Sequence, residues 1–538
     1  MKNLLKITVM IMICFFIGHS AFADFKPDSL KSDESSADII IEVSGPQSGV
    51  WIYDNTYEVI GDISVLNGDT LIIEPGVLIE FMDDYSFNIF GTLIASGNEY
   101  NRIYFVSGQL YPNPGDWNEI KFEDSSNDNS IISYSCIKLA KNGIYCSSSS
   151  PTISNNYIND NYYSGIYCTE SSSPTITNNN ILYNNDFGIC SNSSTPTISN
   201  NRIRYSEYGI YCTDSSTLTI SNNVIGSNND GICCFSSSPL INDNTLINNY
   251  RGIYCDNSFP TINNNIIKNN DGGIYCFNSI PSINKNNIIN NNDYGISCND
   301  YSSPFIVNNI FYENYTGILA YSPPSSIEYN IFWGNVTTAT GDSLPTDFGE
   351  ITIVNANEDS CDIYYNLFMN PLFIAPGTDN FLLTASSPCI DAGNPDPVYN
   401  DPDETIADMG AFYFDQSQPL IEVIGPQSGI WTAENLYHVI GDISVPNGDT
   451  LIIEPGVIVK FMDDFSFTIN GSIFAIGTET DSIYFTSGQV PITTGWTFIQ
   501  FEDSSNDNSN ISYACIEHAI VGISCMFNAC IGNIAIII

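Results

Sequence analysis

Arg202 and Arg204 stand two residues apart in the run NRIRYSE, the one place in this chain where two guanidiniums occupy alternate positions of one predicted strand, and Glu207 follows closely. A basic group held beside carboxylates can take a proton from a sugar carbon, which is lyase chemistry. Asp160, Asp186 and Asp230 are the nearby acids, each in a turn-like stretch where solvated carboxylates are common. Glycoside hydrolysis would instead need two or three carboxylates converging at fixed separations. The acids of the central region fall singly at turns, among them Asp214, Asp256, Asp271, Asp293 and Asp300. Beyond residue 23 the histidines are His438 and His518, neither in the central region, which removes serine–histidine and most cysteine–histidine catalysis there.

Two stretches offer oxygen ligands in turns: EDSSNDNS, with Asp124 and Asp128 and a second copy at 502–509, and NDPDE, with Asp401 and Asp403. Calcium is the cation they would suit, although neither reproduces a known calcium loop. Sixteen cysteines are present, and Cys146, Cys168, Cys212, Cys234, Cys255, Cys276 and Cys298 each follow a glycine by three residues. That is a stacked column, expected inside as small hydrophobes. One residue earlier runs a column with Tyr145, Tyr167, Tyr211, Tyr254 and Tyr275, interrupted by Cys190, Cys233, Ser297 and Leu319. An outward aromatic stripe of this kind could stack on sugar rings.

These columns exist because PTISNNYINDNYYSGIYC, starting at Pro151, recurs every 20 to 23 residues, at Pro174, Pro196, Leu218, Pro239, Pro260, Pro281 and Pro304 and more loosely at Pro324. So short a period means stacked coils. Several strand-like patches separated by Ser, Asn, Pro and Gly leave no room for a helix, so each coil is predicted to hold three short strands of a parallel β-helix. The alternation in GIYC sends Ile144 and Cys146 inward and Tyr145 outward. The sixth position is always asparagine: Asn156, Asn179, Asn201, Asn223, Asn244, Asn265, Asn286 and Asn309. Stacked amides at a turn can bond up and down the axis, a structural role. The glycine before each Ile-x-Cys, Gly143 through Gly317, is expected at a bend whose backbone conformation excludes side chains. Stacked end coils need cover, for which the Trp51–Gly91 region is the candidate at the N-terminal end.

The opening MKNLLKITVMIMICFFIGHSAFA has a lysine-bearing start, an apolar run and a small-residue exit, and residues 1–23 read as a secretory signal peptide. No later segment has the length of a membrane span. The net charge of −46 becomes −48 once Lys2 and Lys6 are gone, which excludes nucleic acid and anionic lipid as natural partners. The expected destination is extracellular, cell-surface or periplasmic. Residues 24–40 read as a flexible acidic leader.

IEVSGPQSGVW at Ile41 returns as IEVIGPQSGIW at Ile421, and the match continues through GDTLIIEPGV, FMDD and FEDSSNDNS. A module is therefore duplicated. The predicted division is a first solenoid over 41–334, a closing segment over 335–414 and a second, incomplete module over 421–538 that reads as truncated or frame-shifted, a short native terminus being the alternative.

The SNNxI and GIYC elements resemble the parallel β-helix repeats of the pectin-lyase-like superfamily, including those of NosD-type periplasmic proteins and of carbohydrate-binding and sugar-hydrolysis domains. SSPCIDAGNPDP from Ser386 and DPDETIADMGAFYF from Asp401 look like the segment closing many secreted bacterial β-helix proteins. The resemblance implies a right-handed, all-β parallel β-helix, and a superfamily of lyases, hydrolases, epimerases and adhesins. A NosD resemblance would suggest copper, for which the thiols suit but histidine and Met-rich clusters are lacking. The expectation is an exported scaffold with no required cofactor, binding a polysaccharide or cell-surface glycan through its tyrosines. The alternative is a polysaccharide lyase or glycoside hydrolase with Arg202, Arg204 and Glu207 in its groove. The sequence leaves oligomeric state open.

Overall fold

In a computed structural model the structure describes residues 39–536 apart from 54, 417–418, 479–480, 489–494, 503–508 and 526–532, with backbone alone for 533–536. The signal peptide, most of the leader, residues 503–508 of the second EDSSNDNS run and residues 526–532 after Cys525 lie outside the described residues.

The protein is an all-β parallel solenoid. Strands too short to stand alone are paired in register with their equivalents one coil away. The Thr-Ile-Ser strands form a 13-stranded sheet from Gly49–Trp51 to Ser326–Glu328. The remaining faces, one carrying Tyr157–Asn159 and its equivalents, the other Asn142–Ser147 and its equivalents, count as one 26-stranded sheet because the long strand Asn55–Val65 belongs to both. The first strand begins at Ile39, inside the stretch read as leader, and Thr337–Thr340 still pairs with Thr316–Ala320, beyond residue 334. Among the described residues the only helical turns are Pro376–Thr378 and Pro397–Tyr399.

One coil shows the construction. Ile220, Ile225 and Ile232 point in from the three faces, fully buried, with Cys234 beside them. Burying each isoleucine contributes about 1.5–3 kcal/mol, and the column it joins supplies its packing partners. The corners need left-handed backbone, which asparagine tolerates better than branched residues. Asn222 (φ 57°), Asn248 (φ 57°) and Asn257 (φ 50°) take it at the three corners of this region. The residue after each then turns inward: Asn223, Asn249 and Ser258. The Asn-Asn doublets thus divide two duties, the first bending the chain and the second bonding along the axis.

Three ladders result. The Asn223 side-chain nitrogen donates to the carbonyls of Ile198 and Ser221 and to Oδ1 of Asn244, each at 3.0 Å. Asn249 repeats the pattern onto Ile225 and Asn270, both at 3.1 Å, in a second asparagine column. In the third, Ser258 Oγ accepts the Ser237 N–H at 3.1 Å and donates to the Cys234 carbonyl at 2.9 Å, while the Ser258 N–H reaches Ser279 Oγ at 3.0 Å.

The glycine column differs from expectation. Gly143 to Gly317 lie inside strands and none has positive φ. Their constraint is steric: a Cβ on Gly231 would stand 2.5 Å from the Gly252 carbonyl oxygen in the next coil. Gly231→Ala is expected to cost about 2 kcal/mol by forcing the coils apart, as overpacking does. A urea midpoint equal to wild type would exclude that reading.

Trp51–Gly91 is likewise not a cover. Its strands are the first coils, because the alternation in TLIIEPGVLIEF lets them pair in register, Ile73 with Ala95 and Trp51 with Ile73. The outermost residues Ile39, Ile40 and Val50 are exposed. At the other end the closing segment lies against one face: Ile266, Ile289, Ile310 and Ile331 form a second core with Cys361, Leu367, Phe373, Phe381, Leu383, Cys389 and Met409. The second module repeats the first in detail. Trp431 stacks on Tyr437 at 4.5 Å as Trp51 does on Tyr57 at 4.3 Å, and both Phe461–Trp496 and Phe81–Trp117 stack at 4.1 Å.

Candidate functional site

The outward side of the Gly-Ile-Tyr-Cys face is where unlike side chains gather. Pairing in register puts Lys121, Tyr145, Tyr167, Cys190, Tyr211, Cys233, Tyr254, Tyr275, Ser297 and Leu319 in one column. The five tyrosines are half-buried, and Cys190, Cys233 and Ser297 are buried between larger neighbours. Tyr145 and Tyr167 stack at 5.1 Å with planes 11° apart, and Tyr254 and Tyr275 lie 5.6 Å apart. A parallel column begins at the first residue of each strand, with Phe187, Tyr208, Asp230, Arg251, Gly272 and Tyr294. Phe187 packs on Tyr211 at 5.1 Å, and Tyr294 folds across the space left by Gly272 toward Tyr275.

Arg251 sits at the centre. Its Nε and Nη2 donate to the two Asp230 oxygens at 2.6 and 2.8 Å, and its guanidinium lies 4.0 Å over the Tyr254 ring and 5.6 Å over Tyr275. Bidentate pairing and stacking together need the planar fork of arginine. Burial pushes the Asp230 carboxyl up, and the Arg251 guanidinium partly pulls it back. Burial also raises the phenols, Tyr145 and Tyr211 to about 12, so they remain protonated donors at neutral pH. The face therefore offers flat apolar rings, phenol hydroxyls and one neutralised ion pair.

The adjacent face carries a groove of about 300 Å³ lined by Glu99, Arg102, Tyr134, Tyr157 and Asn180. Arg102 lies 4.3 Å over the Tyr157 ring and donates to the Asn155 carbonyl at 2.7 Å. Asn180 pairs with Arg202, which stands one coil beyond the groove and does not line it.

Arg202 and Arg204 flank the buried Ile203 in one strand, Arg202 exposed and Arg204 half-buried, and Glu207 is exposed at the following corner. Asp230 belongs to Arg251 rather than to them. The seven ladder cysteines are fully buried free thiols, and Ser191 takes the level that Cys190 vacates by pointing outward. Asn156, Asn179, Asn201, Asn244 and Asn265 bond as Asn223 does. Asp124 and Asp128 are exposed, Asp128 accepting the Ser150 N–H at 3.0 Å. Asp401 is buried against Lys285 at 2.5 Å, and Asp403 is occupied by Thr405 and the Gln416 N–H. These acids do not converge, and no group of three or more metal-ligating side chains occurs among the described residues.

Sequence reasoning missed Arg251 with Asp230, although their 21-residue separation, one coil, carries the signal. It also missed the second asparagine column of Asn161, Asn184, Asn228, Asn249, Asn270, Asn291 and Asn314, which Ser206 interrupts.

The chain matches the family model described as periplasmic copper-binding protein (NosD) over residues 189–347, and that of the right handed beta helix region over residues 100–249. No curated protein matches the chain. Among solved structures it is similar to pectate lyase Pel9A, at 16% identity over 65% of this chain and 89% of that one, with a TM-score of 0.35. Dettilon tailspike protein (gp208) is 13% identical over 57% of this chain and 61% of that one, with a TM-score of 0.30. XylC, solved in complex with xylose, is 12% identical over 48% of this chain and 56% of that one, with a TM-score of 0.27. No helix among the described residues is long and apolar enough to cross a membrane. The chain is an all-β parallel β-helix protein, and its coils over residues 100–249 match the right handed beta helix model.

Proposed function

We propose that this is an exported, non-catalytic β-helix scaffold that binds a neutral polysaccharide along the tyrosine column, with no cofactor required. One observation carries the reading: five tyrosines on one register column, interleaved with a stacked ion pair whose charges cancel. Sugar rings pack on aromatic faces while their hydroxyls bond to phenols and to the Asp230–Arg251 pair. The net charge of −46 disfavours an anionic polymer, which makes a neutral one the better fit. Residues 1–23 supply the export signal, toward the periplasm, cell surface or medium.

Affinity electrophoresis of the protein in gels containing soluble xylan, mixed-linkage β-glucan or polygalacturonate tests this. Retardation by a neutral glycan is expected. Tyr211→Ala with Tyr254→Ala should weaken it about tenfold, since each lost ring contact is worth about 0.5–1.5 kcal/mol. Retardation unchanged by the double substitution would refute the site.

The Arg102 groove favours a second, catalytic reading, a polysaccharide lyase or glycoside hydrolase using Arg202 and Arg204. Release of unsaturated or reducing ends that is abolished by Arg202→Ala or Arg204→Ala would replace the scaffold reading.

A further inference from the structure

The duplicated module supplies its own comparison, because one sequence motif stands in two surroundings. Phe81-Met82-Asp83-Asp84 of the first module recurs as Phe461-Met462-Asp463-Asp464 of the second, and Glu42 recurs as Glu422. In the second module the motif is covered: Met462 is 4% and Asp463 3% exposed. What covers it is the tip of the closing-segment hairpin formed by strands Phe373–Ala375 and Asn380–Leu383. Thr378 Oγ1 donates to Asp463 Oδ2, Asn380 Nδ2 donates to the Met462 carbonyl, and the Ala385 N–H donates to Glu422 Oε1 at 2.9 Å. In the first module the same turn is bare, with Asp83 and Glu42 exposed and Met82 half-buried.

The backbone around the turn is the same in both copies. Asp84 N–H caps Asp83 Oδ1 at 2.9 Å as Asp464 N–H caps Asp463 Oδ1, leaving the second oxygen of each outward. The Met82 carbonyl accepts from Gln109 Nε2, and a carbonyl has a second lone pair for an incoming amide.

We propose that Glu42, Met82 and Asp83 form a docking seat for the Phe373–Leu383 hairpin of a second copy of this chain. The hairpin brings a hydroxyl, a carboxamide and a free N–H to two carboxylates and a carbonyl, a donor set matched to an acceptor set. Within one chain the tether gives the second module the advantage of effective concentration. The first seat is filled when the second is vacated, and the contact is head-to-tail: hairpin on one copy, seat on the next. A contact of that type builds assemblies larger than a dimer, an open series unless its rotation closes a ring.

The test uses the full chain. Glu422→Lys with Asp463→Lys frees the hairpin tip from its own second module. In sedimentation velocity at raised salt this variant is expected to move from monomer to a concentration-dependent series, while wild type stays monomeric at the same concentration. Adding Glu42→Lys and Asp83→Lys should return it to monomer. Circular dichroism and a urea midpoint on each variant separate loss of docking from loss of fold. A folded double variant that remains monomeric overturns the proposal. So does association that survives the two further substitutions, which would assign the contact to the exposed end coil at Ile39, Ile40 and Val50.

Discussion

Replacing Asn223 by leucine is expected to destabilise the first module by about 4 kcal/mol, although leucine is the more apolar residue and the site is buried. The Asn223 amide serves both neighbouring coils: toward the preceding one Oδ1 accepts the Asn201 N–H at 2.9 Å and Nδ2 donates to the Ile198 carbonyl at 3.0 Å, and toward the following one Nδ2 donates to Asn244 Oδ1 at 3.0 Å. Leucine leaves that N–H and that carbonyl in the interior without partners. Each such group costs about 1–3 kcal/mol, more than the added hydrophobic contact returns. The loss should also be directional, because Asn201 loses the acceptor of both its N–H and its Nδ2, whereas Asn244 Oδ1 still accepts the backbone N–H at position 223. Urea denaturation monitored by tyrosine fluorescence provides the measurement, and a loss below about 1 kcal/mol would show that water takes over the amide's bonds.

Arg251→Ala should cost about 3 kcal/mol at pH 7, because it strands the fully buried Asp230 carboxylate. The lower end of the usual range applies, since the Arg251 side chain still reaches solvent at 23% exposure. The pH dependence has a definite sign. Burial already raises the Asp230 pKa in the folded protein, and removing the guanidinium raises it further. A carboxyl whose folded pKa is raised contributes its stability below the unfolded value and loses it as pH rises through the folded one. The deficit of Arg251→Ala should therefore shrink toward pH 4 and widen above neutrality. Combining it with Asp230→Asn should recover most of the loss. A deficit constant from pH 4 to pH 8 would mean that Arg251 acts only through its packing on Tyr254 and Tyr275.

The architecture was legible in the sequence where a residue type never varied. Ile153 to Ile306 and Asn156 to Asn309 reveal the period, the inward face and one corner, because a fully buried site with fixed partners admits one residue type. The second asparagine column was harder to read because Ser206 stands in it: at that coil the serine N–H still reaches Asn228 Oδ1 at 3.0 Å, and its side chain adds no ladder bond. The glycines were recognised as a column but for the wrong cause. A recurrent glycine fits a left-handed bend or a close approach equally well, and only the stacking distance between Gly231 and Gly252 decides. Arg202 with Arg204 drew notice because neighbours in sequence are easy to see. Asp230 and Arg251 meet across a coil, so their pairing depends on register, which a single line of sequence conceals.

Apart from the coil where Ser206 breaks the second column, the coils meet their neighbours through the same three ladders, so most of them are chemically interchangeable with the one above. Inserting or deleting such a repeat would leave its ladder Asn, Ser and Gly with partners of the kind they had before. Length is thus a trait that recombination between repeats can adjust without redesigning the core. Each coil gained or lost would shift the outer face by about 4.8 Å, the spacing of paired strands. A lineage could in this way lengthen or shorten its reach while the chemistry of every rung stayed constant.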